Sequence, residues 1–174
     1  MEPFDSFLIW FTEFLGDHLY EGICLAALIE TIIPPIPTLA IFLTAGFLAS
    51  QQAIPLIGVI PMIILGAIGA TIGTSAIYLI ALKLGRIALL RYLKYFKVSE
   101  KKLERVEIWL EKYGDKAVFL GRMIPVMREM ISVPAGLLKM RIPKFVMFTF
   151  AGSCVWAAAT ILAGYYFGEA IGLV

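Results

Sequence analysis

The chain has 174 residues, 60% of them hydrophobic and 16% charged, with a net charge of +2. That length allows one domain, and a soluble domain of this size cannot hide so many apolar side chains, because its surface would have to be built from them. The bases are interleaved with acids, which excludes the uniformly basic surface that nucleic acid requires.

Residues 1–18 mix aromatic side chains with Asp5 and Glu13 and read as an N-terminal amphipathic segment at the membrane interface, with His18 an interfacial side chain. Glu2 and Asp5 make the start acidic, whereas a cleavable signal begins with positive charge. Residues 19–52 are two half-length apolar pieces around Pro34, Pro35 and Pro37. Three prolines in four residues lack backbone donors and clash with the preceding turn, so a helix cannot pass through them. Such a break predicts a re-entrant hairpin that dips into the bilayer and returns to the same side.

From Thr31 to Leu82 there is no Asp, Glu, Lys, Arg or His. Residues 55–82 form a continuous run, long enough for a transmembrane helix across a hydrocarbon core about 30 Å thick. Gly69 and Gly73 place two flat spots on one face of that helix, for packing within the chain or in a homodimer.

Ten of the 15 Lys and Arg residues fall between Lys83 and Lys116. The positive-inside rule makes this helical segment, residues 83–116, cytoplasmic. Glu100, Glu104, Glu107, Glu111 and Asp115 recur within it at helical spacing, as on a solvated or membrane-surface helix. The pairs Glu100–Glu104 and Glu107–Glu111 set like charges together, so this helix needs neighbours or headgroups.

Residues 117–140 repeat the hairpin pattern, broken at Pro125 and Pro134 and carrying Arg122, Arg128 and Glu129. Residues 143–170, free of charge from Phe145 to Gly168, predict a second transmembrane helix. An offset of 90 residues sets Pro35 on Pro125 and the run Leu43 to Leu48 on Val133 to Leu138. The predicted fold is therefore an all-α integral membrane protein: an inverted repeat of re-entrant helical hairpin plus transmembrane helix, whose broken elements meet near the midplane.

If the first half-helix starts near Leu19, Glu30 lies roughly 16 Å deep, and Arg128 about 18 Å deep if the second starts near Lys116. Arg122 comes out about 9 Å deep by the same count. Ionisable residues at such depth are costly unless paired or hydrated, which marks them as functional candidates. One reading is a buried ion pair of Glu30 with Arg128 that pins the hairpins together. The preferred reading is a hydrated polar cavity in which Arg122 and Arg128 bind an anionic headgroup and Glu30 exchanges a proton. The guanidinium fork matches phosphate and keeps its charge in apolar surroundings. A carboxyl suits proton exchange because desolvation and a nearby arginine push its protonation in opposite directions. Cys24 and Cys154 lie in apolar stretches without paired spacing and read as small buried hydrophobes. No metal site, cofactor motif or Ser-His-Asp constellation is present in the sequence, which makes an enzyme the least favoured reading.

These residues resemble the DedA family, also described by its SNARE-associated Golgi protein or VTT domain. The resemblance is carried by Glu30-Thr-Ile-Ile-Pro34-Pro35-Ile-Pro37 and by Gly69-x3-Gly73-x4-Tyr78-x6-Gly85. Its most specific part is Phe119-Leu-Gly-Arg122-Met-Ile-Pro125-Val-Met-Arg128, followed by Pro134-Ala-Gly136, Met140, Phe145, Gly152 and Trp156. It covers roughly residues 19–170. It implies transbilayer movement of lipid, either polyprenyl phosphate or phospholipid, often dependent on the proton gradient, in the plasma membrane of a prokaryote. The family's functional residues correspond to Glu30, Arg122 and Arg128. The family's second acid falls at Leu39, and Glu129, opposite it at the 90-residue offset, is the substitute this chain offers. A proton-coupled small-solute exporter or antiporter and a structural, membrane-organising protein are the alternatives.

Overall fold

The computed structural model describes residues 18–32, 38–95 and 100–172. Of the expected interfacial segment only His18 falls among them, and the turn with Pro34, Pro35 and Pro37 lies outside them. All regular structure among the described residues is helical: α1 (Leu19–Ile32), α2 (Thr38–Gln51), α3 (Leu56–Tyr95), α4 (Glu100–Tyr113), α5 (Lys116–Arg122), α6 (Pro125–Met130), α7 (Ser132–Leu137) and α8 (Ile142–Gly172). A helix satisfies its backbone polar groups within its own segment, as hydrocarbon surroundings demand.

Two stretches are long and apolar enough to cross a membrane, Leu56–Lys83 of α3 and Ile142–Gly172 of α8. More than half of each stays outside the protein core, with Ile57, Ile72, Met147 and Phe167 exposed. Helices that leave such side chains uncovered fit a lipid environment. The crossing helix begins where the apolar run begins but continues to Tyr95. Lys83, Arg86, Arg91 and Lys94 end the apolar run without ending the helix, because lysine and arginine are good helix formers.

The chain divides into two compact units, residues 1–70 with 154–174, and residues 71–153. In the first, α1 packs on α2 around Ile23, Ala27, Phe42, Ala45, Met62 and Ile161. Close backbone contact replaces large side chains here. A Cβ on Gly69 would lie 2.1 Å from the Cys24 carbonyl oxygen, so this glycine serves packing inside the chain. Tyr165 ties α8 to the turn after α2 by donating its hydroxyl proton to the Ile54 carbonyl at 2.8 Å.

In the second unit α4 packs on α5, α6 and α7. Val106 and Leu110, one turn apart, are buried, whereas Glu104, Arg105, Ile108 and Lys112 are exposed. The acid-rich helix therefore finds its neighbours through one apolar edge. The Tyr78 ring stacks on Phe145 with centroids 4.3 Å apart, and its hydroxyl donates to the Met140 carbonyl. Lys144 pairs with Asp115 across the unit's surface. Removing the tyrosine hydroxyl in Tyr78→Phe is expected to destabilise the protein by about 1 kcal/mol, the net worth of a typical hydrogen bond. Unfolding midpoints in detergent measure this, and a variant as stable as the wild type would show that the Met140 carbonyl has another donor.

Candidate functional site

The segment from residue 116 to 140 is a run of short helices whose backbone leaves the helical region after Arg122, and local chemistry explains where it does so. Gly114, in the left-handed region (φ 59), closes α4 by donating its N–H to the Leu110 carbonyl at 2.8 Å. α5 then runs only to Arg122, because Ile124 precedes a proline and adopts an extended conformation (φ −104, ψ 119). Pro125 starts α6 in the first helical position, where a missing donor costs nothing. The backbone stays in the α region through Ile131 (φ −61, ψ −26), and α7 follows. Pro134, expected to break the segment, lies instead within the first turn of α7, where a missing backbone donor is tolerated. Lys139, with φ 52, ends the segment.

This course puts Arg122 at the end of α5 and Arg128 inside α6, on two short helices that pack together. Both arginines are buried, Arg122 at 4% exposure and Arg128 at 7%. A guanidinium cannot shed its proton in a protein, so both side chains carry their positive charge where they are buried. α8 reaches the root of the first one at Gly152. A Cβ there would lie 2.6 Å from the Arg122 Cβ and 3.0 Å from the Phe119 carbonyl oxygen. Only a hydrogen side chain lets α8 pass at this distance.

The other predicted residues are distributed as follows. Glu30, in α1 of the first unit, is buried at 5% exposure. Gly73 and Tyr78 are buried on α3, Pro134 and Gly136 on α7, and Gly136 abuts the Tyr78 carbonyl. Gly85, Pro125 and Glu129 belong to helices, and their side chains lie outside what is described. Among the described residues no group of three His, Cys, Asp or Glu side chains is placed to hold a metal ion.

The second unit also buries hydroxyls that the sequence does not single out, Ser132 and Thr149 among them. Ser132 is 1% exposed and Thr149 is fully buried. The signal available for Ser132 was its place four residues after Arg128, and for Thr149 its place three residues before Gly152.

Described residues that are helical throughout their regular structure, two helices long and apolar enough to cross a membrane and two buried arginines beside a proline break together define a membrane protein of a definite kind. The sequence profile of the VTT domain matches residues 36–166, and the chain belongs to this family, the DedA family. It is 35% identical over 162 residues to undecaprenyl phosphate transporter A of Bacillus subtilis, covering 93% of this chain and 76% of that protein. It is 29% identical over 167 residues to undecaprenyl phosphate transporter A of Staphylococcus aureus, covering 94% and 81%. An alkaline phosphatase-like protein of Lactococcus lactis subsp. cremoris is 32% identical over 155 residues, covering 86% and 71%. No solved structure matches the chain.

Proposed function

We propose that this protein moves a phosphate-bearing lipid, polyprenyl phosphate or phospholipid, across the cell membrane of a prokaryote. The observation that carries the reading is the burial of Arg122 and Arg128 on adjacent short helices. A phosphate matches the guanidinium fork in both charge and geometry. Two relatives named as undecaprenyl phosphate transporters support the same chemistry.

In this reading residues 19–52 and 117–140 are re-entrant hairpins of an inverted repeat, each followed by a crossing helix. Residues 83–116 face the cytoplasm, because ten basic residues are held there. Arg122 and Arg128 bind the headgroup. Glu30 exchanges a proton, and Glu129 supplies the second acid that Leu39 does not. The test is transbilayer movement of labelled polyprenyl phosphate and phospholipid in proteoliposomes, with and without a pH gradient. Movement dependent on the intact arginines is expected. Failure to move any lipid, with the protein correctly inserted, would turn the reading toward a small-solute exporter.

Glu30→Gln keeps the shape of the side chain and removes its ionisation. It is expected to abolish the response of transport to the pH gradient while the protein stays folded. A variant that still accelerates under the gradient would take Glu30 out of the proton path.

A further inference from the structure

Hydroxyls in apolar helices usually satisfy themselves on the carbonyl one turn back, and several among the described residues do so. Thr31 donates to the Ala27 carbonyl at 2.8 Å, Ser75 to Thr71 at 2.7 Å and Thr160 to Trp156 at 2.8 Å. Ser132 and Thr149 do not. Their hydroxyl oxygens are buried and have no hydrogen-bond partner in the protein among the described residues. Both have a residue four positions earlier that offers a carbonyl, so the local solution was available and is not used.

Each of these hydroxyls stands one helical turn from a buried arginine or its contact. Ser132 follows Arg128 by four residues along backbone that stays in the α region. Thr149 precedes by three residues the glycine that meets the Arg122 Cβ, and so lies on the same face of α8. All four side chains belong to one compact unit. An arginine only donates hydrogen bonds, so it offers a hydroxyl nothing to donate to. A group with several acceptor oxygens satisfies guanidinium and hydroxyl together. A buried hydroxyl left unsatisfied is costly, which makes such a group the natural occupant.

We infer that the hydroxyls of Ser132 and Thr149 complete the anion site of Arg122 and Arg128, donating to the oxygens of a phosphate group. This rests on the reading of the arginines as headgroup ligands and adds two neutral donors to it. Neutral donors bind phosphate without adding more buried charge. The phosphate is lipid-borne or free, and the chemistry of recognition is shared.

The test is binding of radiolabelled short-chain polyprenyl phosphate and of inorganic phosphate to the full chain in detergent. Ser132→Ala and Thr149→Val, which remove a hydroxyl with little change in shape, are each expected to weaken binding about 10-fold, the effect of one hydrogen bond to a charged group. Thr149→Ser, which restores the hydroxyl, is expected to recover the affinity. Ser75→Ala, whose hydroxyl is already satisfied at Thr71, is expected to bind as the wild type does. The two hydroxyl variants are scored separately, so a folding failure in one leaves the other decisive. Inorganic phosphate that binds alone and competes with the lipid supports free phosphate as ligand; lipid binding that it cannot displace supports the headgroup together with its chain. Wild-type affinity in both hydroxyl variants, with binding lost in Arg128→Met, would overturn this inference and leave the arginine reading standing. Wild-type protein that binds neither phosphate would overturn both.

Discussion

Replacing Arg128 with methionine is expected to lower the movement of phosphate-bearing lipid in proteoliposomes by about 30-fold or more, with the protein still folded. Losing one partner of a buried charge pair typically costs about 2–5 kcal/mol. Each 1.4 kcal/mol is a factor of ten, which sets the scale of the expected loss. Methionine replaces the unbranched stem of the side chain and fills irregular apolar space, so the helices around α6 retain their packing. The variant is therefore expected to fold and insert as the wild type does. Arg128→Lys is expected to recover only part of the activity, since an ammonium is a point charge without the planar fork. Flux measured at equal reconstitution, beside a melting curve for each variant, separates the two effects. Full flux in the methionine variant would remove Arg128 from the site.

The largest effect on stability is expected where α2 and α8 meet. A Cβ on Gly46 would lie 2.0 Å from the Ile161 carbonyl oxygen, and one on Gly164 would lie 2.1 Å from the Leu43 carbonyl oxygen. The arrangement is reciprocal: each helix sets a glycine against a partner carbonyl, and each contacted carbonyl lies three residues before its own helix's glycine. Small residues at such contacts are what holds helices together in lipid, where burial against another helix is no more favourable than burial in hydrocarbon. Gly164→Ala must therefore push the helices apart, at an expected cost of about 3 kcal/mol, the upper part of the range for overpacking. Gly172→Ala, where an added Cβ meets nothing within 4 Å, is expected to leave stability unchanged or slightly improved. Unfolding of the two variants in detergent, followed by circular dichroism, makes the comparison. Equal midpoints would mean that α2 and α8 do not touch at these glycines.

The sequence by itself determined the class of this protein. Its charge-free runs exceed the thickness of a bilayer, and they appear as α3 and α8 within a residue or two of their predicted starts. The proline at position 125 likewise announced the break that separates Arg122 from Arg128, because the restriction on the preceding residue is local. The arginines themselves were legible as rare charges in apolar surroundings, and both are buried.

What only the tertiary structure decided is which apolar face meets protein and which meets lipid. In water, hydrophobic periodicity reports the buried side of a helix; in hydrocarbon both sides are apolar, and the periodic signal fades. Only α4, the polar helix, still shows its buried edge in sequence, at Val106 and Leu110. The reciprocal contacts of Gly46 and Gly164, and the passage of Gly152 over Arg122, arise between residues far apart in the chain. Ser132 and Thr149 look like ordinary small polar residues until packing removes water from them. Burial, rather than residue type, turns their hydroxyls from indifferent to costly.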